Sequence, residues 1–317
     1  MCMMYSFEDF IKEWKNDADY IEAHTSGSTG EPKCIRLSKS FVADSARRTI
    51  RYFSISAESH IHSCVAPDFI GGKMMGVRAV LAGCRLTWEI PSNRPLGAFS
   101  PHDELDLVAI VPSQMLHILD HADEMPKVRA YIIGGSPINA ALRGRIERSG
   151  LNAYETYGMT ETASHIALRH IVAGNEWFST LDGISVSLDE RGCLVIEYAG
   201  GERFVTNDLA TLQSPYSFRI EGRYDHVIIT GGKKLNPVEV ERRLSSLIDS
   251  EFMVTSVPDE KWGNRVVLLM ERSDDIEDYD EGVMLSKMRE VLPPWQMPKE
   301  IRIVESLPRT PNGKLKR

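Results

Sequence analysis

The chain has 317 residues, 42% of them hydrophobic and 26% charged, with a formal net charge of −8. That length holds one large or two ordinary domains with a proper core, and the acidic balance excludes a general nucleic-acid binder or a polybasic membrane patch. Cys2, Cys34, Cys64, Cys84 and Cys193 are scattered, odd in number and without a C-x-x-C pair, so they indicate neither a disulfide framework nor a zinc site and point to a reducing cytoplasm.

The opening "MCMMYSFEDFIKEWKNDADYIEA" is acidic and lacks the basic and apolar regions of a signal peptide. Phe7, Phe10, Ile11 and Trp14 share one helical face, which predicts a docked surface helix. No apolar stretch is long enough to span a bilayer. Residues 24–34, "HTSGSTGEPKC", are small, polar and flexible, end on Lys33 and run into the strand-like "CIRL". Two readings stand: a solvated linker, or a phosphate cradle in which glycine-freed N–H groups, hydroxyls and Lys33 meet anionic oxygens. It is not a Walker A loop, since no G-x-x-x-x-G-K-[ST] crosses it.

From 35 to about 200 apolar strands alternate with helical patterns: "HIHSCVAP" then "KMMGVRAVLAG", "LDLVAIVPS" then "QMLHILDHADEM", and "VRAYIIGGS" then "PINAALRGRIERSG", where Pro137 suits a first helical turn. Repeated βα units predict a mostly parallel sheet flanked by helices. After 180, "GISVSLDERGCLVIEYAG" and "RFVTNDLATLQ" predict a β-rich segment, a small barrel. Beyond "RIEGRYDHVIITGG" a compact α+β pattern follows, with "SDDIEDYDEG" as a solvated loop. The fold class expected is α/β: a large N-terminal domain of βα units over 1–222, its β-rich segment at about 180–222, then a small α+β domain over 223–317.

Several stretches can carry chemistry. In "YETYGMTETASH" Thr160 reads as a helix N-cap; the functional reading makes Tyr157 a platform for a base, Thr160 a phosphate contact and Glu161 an oxygen ligand for Mg²⁺. Asp208 in "RFVTNDLA", with Arg223 and Asp225 in "RIEGRYDH", reads as turn residues or as a sugar clamp. Lys314 in "LPRTPNGKLKR" reads as part of a floppy basic tail or as a functional cation on a Pro/Gly-rich loop.

Taken together, "TSGSTGEPK", "YGMTET", "TND", "GRYDHVIITGGKKLNPVEVE" and "PRTPNGKLKR" resemble, in order and approximate spacing, the motifs of the adenylate-forming superfamily of acyl- and aryl-CoA ligases, peptide-synthetase adenylation domains and luciferases. The resemblance covers residue 24 to the end. It implies that a carboxylate attacks the α-phosphate of Mg·ATP to give an acyl-adenylate and pyrophosphate, after which a thiol, usually coenzyme A, displaces AMP. With no covalent enzyme intermediate, catalysis is charge neutralisation and positioning. By match, Thr25, Ser26, Gly27, Ser28, Thr29 and Lys33 hold the β- and γ-phosphates, which resolves the 24–34 segment as a pyrophosphate-binding loop. Gly134, Gly135 and Ser136 lie beside adenine and the acyl group. Tyr157 stacks on adenine with Gly158 beside it in the nucleotide-binding set, Thr160 contacts phosphate, and Glu161 binds Mg²⁺. Asp208 and Arg223 grip the ribose, and Lys314 bridges carboxylate and α-phosphate. Asp225 matches the hinge about which the mobile C-terminal domain turns between half-reactions, presenting Gly231, Gly232, Lys233 and Lys234 to the pantetheine arm. The two lysines depart from the family pattern; coenzyme A phosphates or plain solvent both account for them. A second departure is the short run before His24, which implies a shortened first N-terminal subdomain.

"YGMTETAS" is similar to the o-succinylbenzoate–CoA ligases of menaquinone biosynthesis, and "FIGGKMMGVRAVLAGC" (69–84) resembles their helix bearing an arginine near the distal carboxylate. Here that residue is Arg78, grouped on the acid side with Gly135 and Ser164; a structural salt bridge is the alternative. Ile70 departs from the histidine often found there. The expected reaction joins o-succinylbenzoate to coenzyme A with ATP. The alternatives are another acid or a carrier-protein thiol, and a non-enzymatic nucleotide-binding remnant, against which the presence of Lys33, Glu161, Asp208, Arg223 and Lys314 counts. Partners expected are small molecules, with a homodimer left open.

Overall fold

The computed structural model describes residues 5–24, 33–248, 250–272, 280–309 and 315–316. The expected loop residues Thr25 to Thr29, the acidic stretch over 273–279, and Lys314 lie outside them. Two compact units are present, Met1–Ser185 with Tyr198–Gly200, and Val186–Glu197 with Gly201–Arg317.

The first unit opens on α1 (Phe7–Lys15), where a Ser6–Asp9 capping box satisfies the exposed N–H groups and Phe7 and Phe10 turn inward. Strands β1 (Tyr20–His24) and β2 (Cys34–Ser38) pair antiparallel, His24 opposite Cys34. Next come α2 (Lys39–Tyr52), β3 (His60–Ser63), α3 (Ile70–Ala82), β4 (Arg85–Trp88), β5 (Glu104–Leu105), β6 (Leu107–Ile110), α4 (Pro112–Asp120), β7 (Lys127–Val128), β8 (Tyr131–Ile133), α5 (Ala140–Ser149), β9 (Ala153–Met159), β10 (Ser164–His170) and β11 (Phe178–Thr180). The main sheet runs β4-β3-β6-β8-β9-β10-β11. Its pairs from β4 to β9 are parallel, and β9-β10 and β10-β11 are antiparallel. The expected βα units are present. Their strands are short and nearly all buried, as sheet strands covered on both faces must be.

Pro137 is not in the first turn of α5. The helix starts at Ala140, and the Asn139 side chain caps it by accepting the Leu142 N–H at 2.8 Å. The Asn139 cap, four residues after Gly135, outcompetes proline because it fills an orphan donor. Leu142 and Ile146 then bury against Ile118, Ile133 and Tyr131 in the core.

In the second unit, β12 (Ile184–Leu188, Val186 onward), β13 (Cys193–Tyr198, to Glu197), β14 (Arg203–Ser214) and β15 (Ser217–Arg223) follow one another in a row. They form part of an open sheet order and no small barrel, since their hairpin connections add each strand beside the last. A hairpin of β16 (Ile228–Thr230) and β17 (Lys233–Leu235) leads to α6 (Pro237–Leu244). Then β18 (Phe252–Asp259), β19 (Gly263–Glu271), α7 (Glu281–Val291) and β20 (Glu300–Val304) complete the expected α+β pattern, β18-β19 antiparallel and β19-β20 parallel. Leu235, Val240, Leu244, Val254, Leu268 and Met288 centre its separate core.

Candidate active site

Ligands of open α/β sheets settle beyond the carboxyl ends of the parallel strands. Two expected groups lie there. Gly134, Gly135 and Ser136 leave β8, and Thr160 and Glu161 follow β9. A Cβ on Gly134 would stand 2.6 Å from Thr156 Oγ1, and Gly135 adopts φ +92°, so the strip presents bare backbone that a larger residue would block. Beneath it, Glu155 Oε1 accepts the Ile138 N–H at 3.3 Å, while Arg169 and Arg143 pair with Glu155 Oε2. Sequence reading missed this support: its members come from β9, β10 and α5 and acquire a shared role only in the fold.

Thr160 does not cap a helix. Thr160–Thr162 form one 3-10 turn joining β9 to β10, because Thr162 Oγ1 accepts the Met159 N–H at 3.0 Å and reaches the Ser164 carbonyl at 2.8 Å, closing the turn on itself. Ala163 and Ser164 both take positive φ, +50° and +80°. Such backbone is strained for non-glycine residues and survives only where surroundings over-determine it. Here α2 does so: Ser45 Oγ donates to the Ala163 carbonyl at 2.8 Å, and Thr49 Oγ1 lies 3.0 Å from His165 Nε2. Gly158 is required where the hairpin strands cross closely, since a Cβ would sit 2.1 Å from the Ser164 carbonyl oxygen.

Thr160 Oγ1 stands 3.4 Å from the His24 carbonyl oxygen, the last residue of β1. His24 is opposite Cys34, so both ends of the 25–32 segment leave from a strand pair anchored at Thr160. The chain thereby brings the ends of the phosphate-loop candidate to Thr160 and Glu161. Among the described residues the Glu161 carboxylate has no ion-pair partner, which suits a hard divalent cation with oxygen ligands. These residues fit Mg·ATP. Tyr157 packs its ring against Phe178, centroids 5.9 Å apart.

In the second unit Asp208 and Arg223 are direct partners across β14-β15, with Nη1 to Oδ1 at 3.3 Å. Arg223 also grips Asp225 with two parallel bonds, Nε–Oδ1 at 2.9 Å and Nη2–Oδ2 at 2.6 Å. Burial pushes the Asp225 carboxyl up, but the Arg223 hydrogen bonds and charge prevail and hold it below its ordinary range. Gly231 and Gly232 form the tip between Thr230 and Lys233 with φ +54° and +75°, the two-residue turn that needs positive φ twice. Lys233 Nζ lies 5.1 Å over the Trp295 ring, a cation–π contact, and Lys234 is exposed.

Arg78 is the exceptional cation. It is 1% exposed within α3, among Met74, Met75 and Val77. The structural salt bridge is absent: among the described residues Nη1 approaches only Met75 Sδ at 3.5 Å, and Nε and Nη2 are buried with no hydrogen-bond partner. Burial pushes its pKa down to about 9, so it remains charged at neutral pH. Burial, then the Arg78 charge, hold His165 well below its ordinary value and neutral. Arg78 thus lies near the strand residue that follows Ser164. An unpaired buried charge costs several kcal/mol.

The fold and these clusters define an AMP-forming enzyme of the adenylate-forming class. The family of AMP-binding enzymes matches residues 12–188 and the AMP-binding enzyme C-terminal domain matches 246–314. The chain belongs to that family and is an acyl-CoA synthetase, a class that couples ATP, Mg²⁺ and coenzyme A. The 2-succinylbenzoate–CoA ligase of Listeria innocua is 27% identical over 99% of this chain and 72% of its own length. An acyl-CoA synthetase (AMP-forming)/AMP-acid ligase II-like protein from Dyadobacter fermentans is 31% identical, covering 98% of this chain and 91% of that one, with a TM-score of 0.64. The o-succinylbenzoate CoA synthetase of Bacillus subtilis, at 20% identity, shares the fold with a TM-score of 0.76 over 93% of this chain and 67% of its own. No helix among the described residues is long and apolar enough to cross a membrane.

Proposed function

We propose that the enzyme activates o-succinylbenzoate: the aliphatic carboxylate attacks the α-phosphate of ATP, pyrophosphate leaves, and the coenzyme A thiol then displaces AMP from the acyl-adenylate. The observation that carries this reading is the buried, unpartnered guanidinium of Arg78 near Ser164. A monocarboxylic acid spends its only charge on ATP, whereas o-succinylbenzoate keeps an aromatic carboxylate that needs a buried cation. The naming of the Listeria relatives supports the same acid.

In this reading Thr25 to Thr29 and Lys33 hold the β- and γ-phosphates, and Thr160 donates to a phosphate oxygen. Tyr157 and Gly158 flank adenine beside the 134–136 strip. Asp208 accepts from the ribose hydroxyls while Arg223 holds its carboxylate in orientation. Glu161 holds Mg²⁺, which neutralises phosphate charge. Lys314 follows the charge developing between carboxylate and α-phosphate, and rotation about Asp225 exchanges it for Gly231, Gly232, Lys233 and Lys234 at the thioester step. The reaction is assigned to the cytoplasm, consistent with free Cys34, Cys64, Cys84 and Cys193.

The test is acid-dependent pyrophosphate release across aryl mono- and dicarboxylic acids, with and without coenzyme A. O-succinylbenzoate should give the highest kcat/KM, with thioester formed only when coenzyme A is present. A preference for a monocarboxylic acid contradicts the assignment.

A further inference from the structure

The carboxyl ends of the parallel strands β3 and β4 bring together His62, Cys64 and Glu89, none of which the proposed function uses. One nitrogen, one sulfur and one carboxylate oxygen of these side chains all lie within 4.8 Å of one another. His62 and Cys64 are two residues apart at a strand end, so both side chains leave the same face. His62 and Cys64 are buried, and the Glu89 side chain is 19% exposed.

The three are held in place by neighbours. Thr87 Oγ1 takes His62 Nδ1 at 2.9 Å, and the Phe99 ring stands edge-on to the imidazole at 4.9 Å. The Leu96 N–H donates to both Glu89 oxygens, at 3.0 and 3.1 Å. Gln114 Nε2 donates to the Cys64 carbonyl at 3.1 Å. Such outer contacts are what orient ligands around a metal.

One atom is left over. His62 Nε2 is buried without a hydrogen-bond partner and lies 3.7 Å from Glu89 Oε2. That is too long for a hydrogen bond, but close to the separation of two ligands bound about 2 Å from one tetrahedral ion. Thiolate and carboxylate together cancel a divalent charge, so occupation leaves a buried site neutral.

We propose that His62 Nε2, Cys64 Sγ and Glu89 form a zinc-binding site of three protein ligands, its fourth position open to water on the exposed side of Glu89. On binding, the Cys64 S–H proton passes to solvent as the S–Zn bond forms. A nitrogen, sulfur and oxygen set selects Zn²⁺, whereas a lone carboxylate such as Glu161 suits Mg²⁺, so the two metals do not compete. The ion would tie β3 to β4 and steady residues 65–69, which lead into α3 and Arg78. The sequence carries no zinc pattern here because H-x-C on one strand and Glu89 on the next make no short motif.

Cobalt reports thiolate ligation directly. The full chain, without ATP, should take up about one Co²⁺ and develop a sulfur-to-cobalt charge-transfer band that equimolar Zn²⁺ abolishes, with about one zinc retained per chain after desalting. Glu161→Gln should keep the band, and Cys64→Ser should lose it. Should Cys64→Ser not fold, alkylation of the wild type resolved by peptide mass takes its place, Zn²⁺ slowing the reaction at Cys64 and leaving Cys34 unchanged. No band in the wild type, a band surviving Cys64→Ser, a band lost in Glu161→Gln, or equal alkylation of Cys64 with and without zinc would each overturn the site.

Discussion

Arg78 and Arg223 are the two guanidiniums of the proposed site, yet the chain treats them oppositely. Arg223 faces Asp208 across a strand pair and clasps Asp225 with two hydrogen bonds. Arg78 is sealed in an apolar helix with two nitrogens unmatched. On the proposed nucleotide side the clamp is therefore organised before any ligand arrives: Arg223 is paired within the chain and holds Asp208 in position. The proposed acid side holds a cation without a partner among the described residues, and in the proposed reading the anionic substrate supplies one. Pre-paired groups set geometry, whereas an unpaired one sets selectivity, because only a ligand with the missing charge relieves it.

The largest expected effect comes from removing that cation. Arg78→Ala should lower kcat/KM for o-succinylbenzoate by about 100-fold or more, since a buried carboxylate is left unpaired, while the ATP KM stays within about twofold. Arg78→Lys should recover only part, as an ammonium lacks the fork that fits a carboxylate.

The same cation should weaken the free protein. Arg78→Met fills the volume without charge and should raise unfolding free energy by about 1–4 kcal/mol in denaturant titrations without substrate. The pH dependence follows from its pKa of about 9 in the fold, well below that of the solvated guanidinium in the unfolded chain. Below 9 both states are charged and the penalty is full; above 9 the native state sheds its proton first, the unfolded state binds more protons, and stability rises with pH. The gap between wild type and Arg78→Met should therefore narrow between pH 8 and 10. A gap constant over that range would mean that the guanidinium has found a partner.

On the paired side, Asp208→Asn keeps shape but loses the stronger charged acceptor, so the ATP KM should rise about tenfold with the acid KM unchanged. If the acid KM rose equally, the two sides would not be separable. The smallest effect belongs to Lys233→Ala. Losing the contact over Trp295 should cost about 0.5–1 kcal/mol of stability, visible as a small drop in the denaturation midpoint.

Much of this was legible in the sequence, for identifiable reasons. The βα units showed themselves because each apolar strand and its helix are contiguous, and the Asp208, Arg223 and Asp225 grouping lies within one hairpin and its exit. The turn at Thr160 was not legible, because a Thr-Glu-Thr run caps a helix or closes a 3-10 turn equally well. The choice was made by Ser45 and Thr49 on α2, far away in sequence. The open row of strands in place of a barrel depends on pairing order, which hydrophobic alternation does not encode. Arg78 stood out as a charge in an apolar helix, but that it lacks a partner is a property of everything packed around it.

Discrimination between two acids tests the central claim most directly. O-succinylbenzoate and 4-oxo-4-phenylbutanoate share the reacting carboxylate and differ only in the aromatic one. The ratio of their kcat/KM values, measured by pyrophosphate release for the wild type and Arg78→Met, isolates the contact by a double-difference cycle. The wild type should favour the dicarboxylate by about 100-fold or more, and Arg78→Met should bring that ratio to near one. An unchanged ratio in Arg78→Met would show that Arg78 does not read the second carboxylate.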